Sequence, residues 1–211
     1  MKAAVFGAAE IKNYDFCKKY IENAYIVACD NGMSHCMALK IKPDIIVGDF
    51  DSAKCDILEH YKRENIAFRT YPCKKDETDM ELGIDAAIEA GADDITIIGG
   101  IGSRLDHTMA NCQLLYMLLK KGIRARLANE NNEIELTDSR VVLNGRKGDI
   151  VSLIPMSMTV EGVTSENLEY PLDNAEMHIG SRLIAVSNVM TQDNASVSVR
   201  SGFLYVCRCK D

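Results

Sequence analysis

The stretch Pro43-Asp44-Ile45-Ile46-Val47-Gly48-Asp49-Phe50-Asp51-Ser52 constrains this chain more than any other. An apolar run short enough for a buried strand stops at a glycine, and two aspartates follow with one residue between them. A strand ending in a turn presents its next side chains at the carboxyl edge of a sheet, where open α/β folds bind ligands. Two carboxylates held that close repel each other unless a positive charge lies between them. A hard divalent cation such as Mg²⁺ meets that need, since it takes oxygen ligands and keeps positions for water and phosphate oxygens. The plain alternative is a solvated Asp-rich turn with Ser52 as a helix N-cap.

The same grammar recurs along the chain. Tyr25 to Cys29 is a short apolar run ending in Asp30-Asn31-Gly32, and Ala67 to Thr70 leads through Tyr71-Pro72-Cys73 into Lys74-Lys75-Asp76-Glu77-Thr78-Asp79. Asp94 to Ile98 runs into Gly99-Gly100-Ile101-Gly102-Ser103-Arg104-Leu105-Asp106-His107. Four strand-like runs each end in an acidic or glycine-rich loop. Parallel pairing of those strands would gather the loops at one edge of a sheet.

A chain of 211 residues can bury a substantial core in one or two domains. Its formal net charge of -7 argues against general binding of nucleic acid or anionic membrane. The eight cysteines are scattered, with no C-x-x-C, and Cys29, Cys36 and Cys112 lie in apolar patterns that read as core. Cys207 and Cys209 would share one face of a strand. No apolar stretch reaches transmembrane length, and the start reads as a first strand without a secretory apolar region. Free thiols in a reducing cytoplasm are the expectation.

The first part of the chain alternates strand and helix, predicting an α/β domain over residues 1–128 with a parallel sheet and crossover helices. Thr78-Asp79-Met80-Glu81 is a capping box opening a helix that Gly91 stops. A second helix runs from about Leu105 to Lys120, and its apolar positions Leu105, Met109, Cys112, Leu115, Leu118 and Leu119 predict burial around most of its circumference. After Asn129-Glu130-Asn131-Asn132 the period changes to two. Glu133 to Thr137, Arg140 to Leu143, Asp149 to Ile154, Met158 to Val163, Arg182 to Ser187, Ala195 to Val199 and Phe203 to Cys209 read as strands, with turns at Asn144-Gly145 and Lys147-Gly148. Residues 129–211 are therefore expected to form an antiparallel β-sandwich.

Asp30, Asp49, Asp51, Asp76 and Asp79 are too many carboxylates for one Mg²⁺, and three or four suit one or two metal ions on a polyphosphate. Gly99-Gly100-Ile101-Gly102 allows close approach of backbone to phosphate just before a helix N-terminus. Arg104 there is the natural planar clamp, with an ordinary glycine turn as the alternative. There is no Walker-type G-x-x-x-x-G-K-[ST]. His107 reads either as a ligand contact or as a packing residue.

With these residues in place, the chain resembles the thiamine pyrophosphokinase family. Cys29 to Gly32 resembles that family's A-D-G-G, Pro43 to Ser52 meets P-D-x-I-x-G-D-F-D-S, and Lys75 to Asp79 meets K-D-x-T-D. Gly99 to His107 resembles G-G-x-G-G-R-x-D-H, followed by Asn111. Ser187-Asn188 resembles an S-N pair, and Leu168-Glu169-Tyr170-Pro171-Leu172 resembles an L-x-[YW]-x-L region. Asn31 and Ser103 stand where the family has glycine.

The resemblance implies Mg²⁺-dependent transfer of diphosphate from ATP to the hydroxyethyl group of thiamine, giving thiamine diphosphate and AMP. It implies catalytic and metal-holding roles for Asp49, Asp51 and Asp76, with Asp30 as a further metal ligand. ATP would meet Asp30, Asn31, Lys75, Thr78, Asp79, Arg104, Asp106 and His107. Thiamine would meet Tyr170, Ser187 and Asn188 in a thiamine-binding and dimerisation domain of a homodimer with sites between subunits. Two other readings remain. One is a D-x-D phosphatase of the haloacid dehalogenase type, whose D-x-D belongs after the first strand rather than the third and is followed two residues on by Thr or Val rather than Ala53. The other is a nucleotide sensor that keeps the metal site without catalysis.

Overall fold

The computed structural model describes residues 1–51, 55–181 and 185–210. The chain divides into two compact units, Met1–Glu130 and Asn131–Asp211.

The first unit is built on six strands: β1 (Lys2–Phe6), β2 (Tyr25–Cys29), β3 (Ile45–Gly48), β4 (Ala67–Thr70), β5 (Asp94–Ile98) and β6 (Arg124–Ala128). All are parallel, in the order β6-β5-β1-β2-β3-β4. Strands covered by helices on both faces read as continuous apolar runs, and β3 is buried along its whole length. The helices are α1 (Lys18–Ile21), α2 (Met33–Leu39), α3 (Cys55–Arg63), α4 (Asp79–Glu89) and α5 (Leu105–Lys120). The predicted capping box opens α4, with Thr78 Oγ1 accepting from the Glu81 amide and the Glu81 carboxylate accepting from the Thr78 amide. Helix α4 packs on β1, β2 and β3, where Gly83 leaves room for Cys29 and Val5. Phe6, Ile26, Met33, Cys36, Ile46, Tyr61 and Ile98 form part of one buried core, and Cys29 is buried as expected. Ser52, read as a possible N-cap, lies outside the described residues.

Helix α5 corrects its sequence reading. Only Leu115 and Leu118 are buried, whereas Leu105 is 68% and Met109 62% exposed. Cys112, expected in the core, is half-buried. Within its unit the helix lies along β6, and a sheet face can cover only one stripe of a helix.

The second unit contains β7 (Asn132–Thr137), β8 (Arg140–Asn144), β9 (Ile150–Pro155), β10 (Thr159–Glu166), β11 (Ala175–His178), β12 (Ala185–Val189), β13 (Asn194–Ser198) and β14 (Leu204–Cys209). They form two antiparallel four-stranded sheets, β12-β9-β14-β7 and β11-β10-β13-β8. Alternate residues from both sheets, including Leu143, Val151, Leu153, Val160, Met177, Val197 and Val206, make the sandwich core. Strand β11 was not legible in the sequence because only Met177 of its four residues is buried. Of the strand read over Arg182 to Ser187, residues 182–184 lie outside the described part, and Ala185 to Ser187 fall within β12.

One packing constraint is testable. A Cβ on Gly32 would fall on the carbonyl of Phe6 at the end of β1, a backbone group with nowhere to move. Gly32→Ala is expected to lower the unfolding free energy by about 1–3 kcal/mol, the range for overpacking a tight site, measured by urea denaturation.

Candidate active site

The strand order reverses direction at β1, which has β2 on one side and β5 on the other. In open α/β sheets such a switch point opens a crevice at the carboxyl ends of the strands. Here the two backbones leave the sheet in contact: the Gly7 amide donates to Ile98 O at 2.7 Å and the Ala9 amide to Gly99 O at 2.9 Å. Gly99 sits at φ 65°, and a Cβ there would meet the Gly7 carbonyl. That close approach requires glycine.

The acidic loops gather on the β2–β3–β4 side. Asp30 follows β2 in the left-handed region (φ 45°), and its backbone packs beside Gly48 at the end of β3. The pair Asp49 and Asp51 follows directly. Ligand atoms of Asp49, Asp51 and Cys73 lie within 4.8 Å of one another. The Asp51 amide donates to Asp49 Oδ1 at 3.1 Å, and that bond, aided by Lys75, holds the Asp49 carboxyl below its usual range. Cys73 is exposed; loss of some hydration beside its neighbours first, then the charges of Asp49 and Asp51, push its thiol pKa up, which makes it a poor ligand for a hard cation.

Lys75 Nζ bonds Asp79 Oδ1 at 2.6 Å and lies 5.6 Å from the Tyr71 ring centroid. Partial burial works against its charge, but Asp79 and then Asp49 more than offset this, so the Lys75 pKa is raised. Asp79 also acts on Cys29, whose thiol is pushed up by burial first and by that carboxylate second. Lys75 thus carries positive charge between the Asp49–Asp51 pair and the start of α4. The Thr78 hydroxyl contacts the Glu81 carboxylate at 2.8 Å and is committed to the cap. Asp76 is exposed on the same loop and is outside the Asp49–Asp51–Cys73 group.

On the other side of β1, the glycine loop is fixed from behind. Asn111 Nδ2 donates to Gly100 O at 2.8 Å, and the Thr108 hydroxyl accepts from the Gly102 amide at 3.2 Å. Arg104 is the N-cap residue of α5 and makes no side-chain cap bond. Its guanidinium instead pairs with Asp106 at 2.6 Å on the exposed surface, and that pairing lowers the Asp106 pKa to about 2. His107 is exposed on the first turn. The two substitutions of family glycines are explained here. Neither Asn31 nor Ser103 has a positive φ, so neither position needs glycine.

In the sandwich, β12 carries a register shift against β9 between Ala185 and Asn188, with Ser187 at φ 59°. This bulge turns Asn188 inward, and the residue is 2% exposed. Its Oδ1 accepts from the Tyr170 amide at 3.0 Å and from the Val189 amide at 2.9 Å, while its Nδ2 donates to Tyr170 O at 2.7 Å. The side chain that the sequence offered as a ligand contact therefore bonds the backbone of Tyr170 and Val189 through its oxygen and one of its two Nδ2 protons. Tyr170 itself is 68% exposed and Ser187 is exposed, so both present their polar or aromatic atoms outward.

Comparison with known proteins decides the family. The family model "Thiamin pyrophosphokinase, catalytic domain" matches residues 17–127, and "Thiamin pyrophosphokinase, vitamin B1 binding domain" matches residues 132–204. The chain belongs to the thiamine pyrophosphokinase family. A thiamine pyrophosphokinase of Bacillus subtilis is 30% identical over 192 residues, covering 90% of this chain and 89% of that protein. A crystal structure of the Bacillus subtilis protein superposes with a TM-score of 0.91 at 28% identity over the whole of both chains. One from Geobacillus thermodenitrificans gives 0.87 at 27% identity, covering 100% of this chain and 98% of that one. The family is one of enzymes, thiamine diphosphokinases, and both the α/β unit and the sandwich belong to its fold.

Two features of this thiamine pyrophosphokinase family member escaped the sequence reading, and a third residue, Asn188, was read there as a thiamine contact without its bonds to Tyr170. Cys73 stands beside the carboxylate pair, but a cysteine in an acidic loop carries no signal of its own. Gly7 and Ala9 form the near wall of the glycine loop, hidden because β1 lacks an acidic ending. Asn188 does have a sequence signal, a polar residue interrupting an apolar strand, but its partner is 18 residues away. Asn188→Ala is expected to lower the unfolding free energy by about 1–3 kcal/mol, the cost of stranding buried hydrogen-bond partners. Ser187→Ala, at an exposed position, should stay within about 0.5 kcal/mol of the parent. Urea unfolding of the two variants checks both.

Proposed function

We propose that the chain transfers diphosphate from ATP to the hydroxyethyl oxygen of thiamine, producing thiamine diphosphate and AMP. The thiamine hydroxyl gives up its proton to solvent as its oxygen bonds to the β-phosphorus, the bond between that phosphorus and the oxygen bridging to the α-phosphate breaks, and AMP leaves with the bridging oxygen. The observation that carries this reading is the Asp49–Asp51 pair, set at a parallel-strand end within a chain matched by both family models.

The donor set suits a hard cation: two carboxylates, with an exposed thiol whose pKa the neighbouring carboxylates help to raise. Asp49 and Asp51 would hold Mg²⁺, with Asp30 and Asp76 from the flanking loops as further oxygen donors. Bound there, Mg²⁺ supplies neutralisation of phosphate charge and orientation of the transferred group. The chain's own residues do the rest. Lys75, anchored by Asp79, adds positive charge beside the carboxylates. Arg104 offers planar donors to phosphate on release from Asp106, and the open first turn of α5 favours an anion. Asn31, Asp106 and His107 flank the nucleotide, while Thr78 acts by shaping the loop that carries Lys75 and Asp76. In the sandwich, the Tyr170 ring suits stacking on a flat heteroaromatic ligand and Ser187 offers a hydroxyl. Asn188 holds Tyr170 in place.

We further propose that residues 1–128 are the Mg-ATP-binding catalytic domain and residues 129–211 the thiamine-binding and dimerisation domain of a cytoplasmic homodimer. Each site would combine the acidic loops of one subunit with Ser187 and Tyr170 of the other. Among the described residues, no helix is long and apolar enough to cross a membrane.

Incubation with ATP and Mg²⁺, with and without thiamine, tests the reaction: AMP should form only when thiamine is present. A phosphatase would release inorganic phosphate without thiamine, and a sensor would release nothing. Asp51→Asn is expected to lower kcat by roughly a hundredfold, since loss of groups merely supporting a ligand already costs 10–100-fold. Near-normal kcat at saturating Mg²⁺ would remove Asp51 from the metal site. The shared site has its own test in Asp51→Asn co-expressed with Tyr170→Ala, each nearly inactive alone. Random pairing makes about half the dimers mixed, each with one intact site, so about a quarter of wild-type activity should return. No recovery in a verified mixed dimer would place both groups on one subunit.

A further inference from the structure

Behind the switch point lies a buried polar residue that the reaction as outlined does not use. His35, on α2, is 8% exposed. Its Nε2 lies 3.0 Å from Ala9 O, and its Nδ1 lies 2.9 Å from the hydroxyl of Tyr14, in the 3-10 turn Tyr14–Cys17. A carbonyl can only accept, so Nε2 carries the proton. In the neutral ring Nδ1 then accepts from the tyrosine. Burial lowers the His35 pKa despite the opposing effect of the Ala9 carbonyl, which favours that neutral form.

What the imidazole holds is the near wall of the glycine loop. Ala9 is bonded on its other side to Gly99 O, and its Cβ lies against Gly102, where an added Cβ would clash with it. Helix α2 begins directly after Asp30-Asn31-Gly32, and Gly32 packs on the Phe6 carbonyl. One side chain therefore ties three segments together: the acidic turn after β2, the loop after β1 and the glycine loop after β5. Interactions that fix loop backbone to within a fraction of an ångström are what a preorganised phosphate site requires.

We propose that His35 is a positioning residue for nucleotide binding, holding the Gly7–Ala9 segment against the glycine loop so that this loop and the start of α5 keep the geometry of the polyphosphate site. This rests on the assignment of ATP to the switch-point crevice. Glutamine can reproduce the contact pattern, since its carbonyl accepts from Tyr14 and its amide donates to Ala9. Leucine fills similar space and reproduces neither.

The experiment measures the KM for ATP and for thiamine separately in wild type, His35→Gln, His35→Leu and Tyr14→Phe. His35→Leu should raise the ATP KM about tenfold or more and leave the thiamine KM within twofold. His35→Gln should restore the ATP KM to within about threefold of wild type, and Tyr14→Phe should raise it a few-fold. An unchanged ATP KM in His35→Leu, or equal rises in both KM values, would overturn the proposal. Should His35→Leu fail to fold, Tyr14→Phe and His35→Gln decide on the same criteria. The ¹⁵N resonances of the His35 ring add a readout independent of turnover: a protonated Nε2 and bare Nδ1 are expected, and the opposite tautomer would overturn the latch. A wild-type protein that consumed no ATP would instead overturn the assignment of the crevice, and the proposal with it.

Discussion

The site depends first on a contact that has no side chains in it. At the switch point the chain leaves β1 and β5 so closely that Gly7 and Gly99 touch backbone to backbone. Amide-to-carbonyl bonds from Gly7 and Ala9 lock the two loops side by side. A parallel sheet whose strand order reverses must open a crevice there, because the following helices go to opposite faces. Backbone contacts therefore close the base of that crevice beneath its mouth. Every charged group of the proposed chemistry is arranged around that mouth: carboxylates from β2 to β4 on one side, and the glycine loop with Arg104 on the other.

The electrostatics follow from this division. Asp30, Asp49 and Asp51 are crowded by backbone packing at the ends of neighbouring strands, which costs Coulomb energy unless cations answer it. The chain supplies part of the answer in Lys75, whose ammonium is anchored by Asp79 beside the pair. A resident lysine lowers the repulsion between the carboxylates, since its charge acts on Asp49 from one side. Across β1 the signs reverse. Arg104 is held by Asp106 rather than by the carboxylate pair, which keeps it on the side where α5 begins.

Much of the α/β unit was legible because its signals are local. A short apolar run, a glycine and an acidic pair specify strand, turn and edge without reference to the rest of the chain, and Thr78 to Glu81 specify a helix start in four residues. Helix α5 was misread for the opposite reason. Leu105 and Met109 fit a buried stripe by spacing, but burial depends on what lies opposite, and within this unit only one side of the helix has a neighbour. Cys73 and Ala9 were silent because their importance is purely spatial. Nothing in the residue types announces that one stands beside Asp49 or that the other leans on Gly102.

Asn188 shows the deeper limit. A polar residue interrupting an apolar strand is a sound reason to suspect a ligand, and the sequence cannot separate contact with the ligand from support of a residue that makes it. The structure shows the supporting bonds. The Asn188 oxygen is occupied by two amides and one nitrogen proton by a carbonyl, inside a pocket closed to water. His35 uses the same logic in the other unit, with both ring nitrogens engaged and none left for a ligand. Each side chain grips the backbone of a neighbouring segment, Tyr170 in one case and Ala9 in the other. In both units a buried, hydrogen-bonded polar side chain fixes the backbone of a neighbouring segment, a role that residue type alone does not announce.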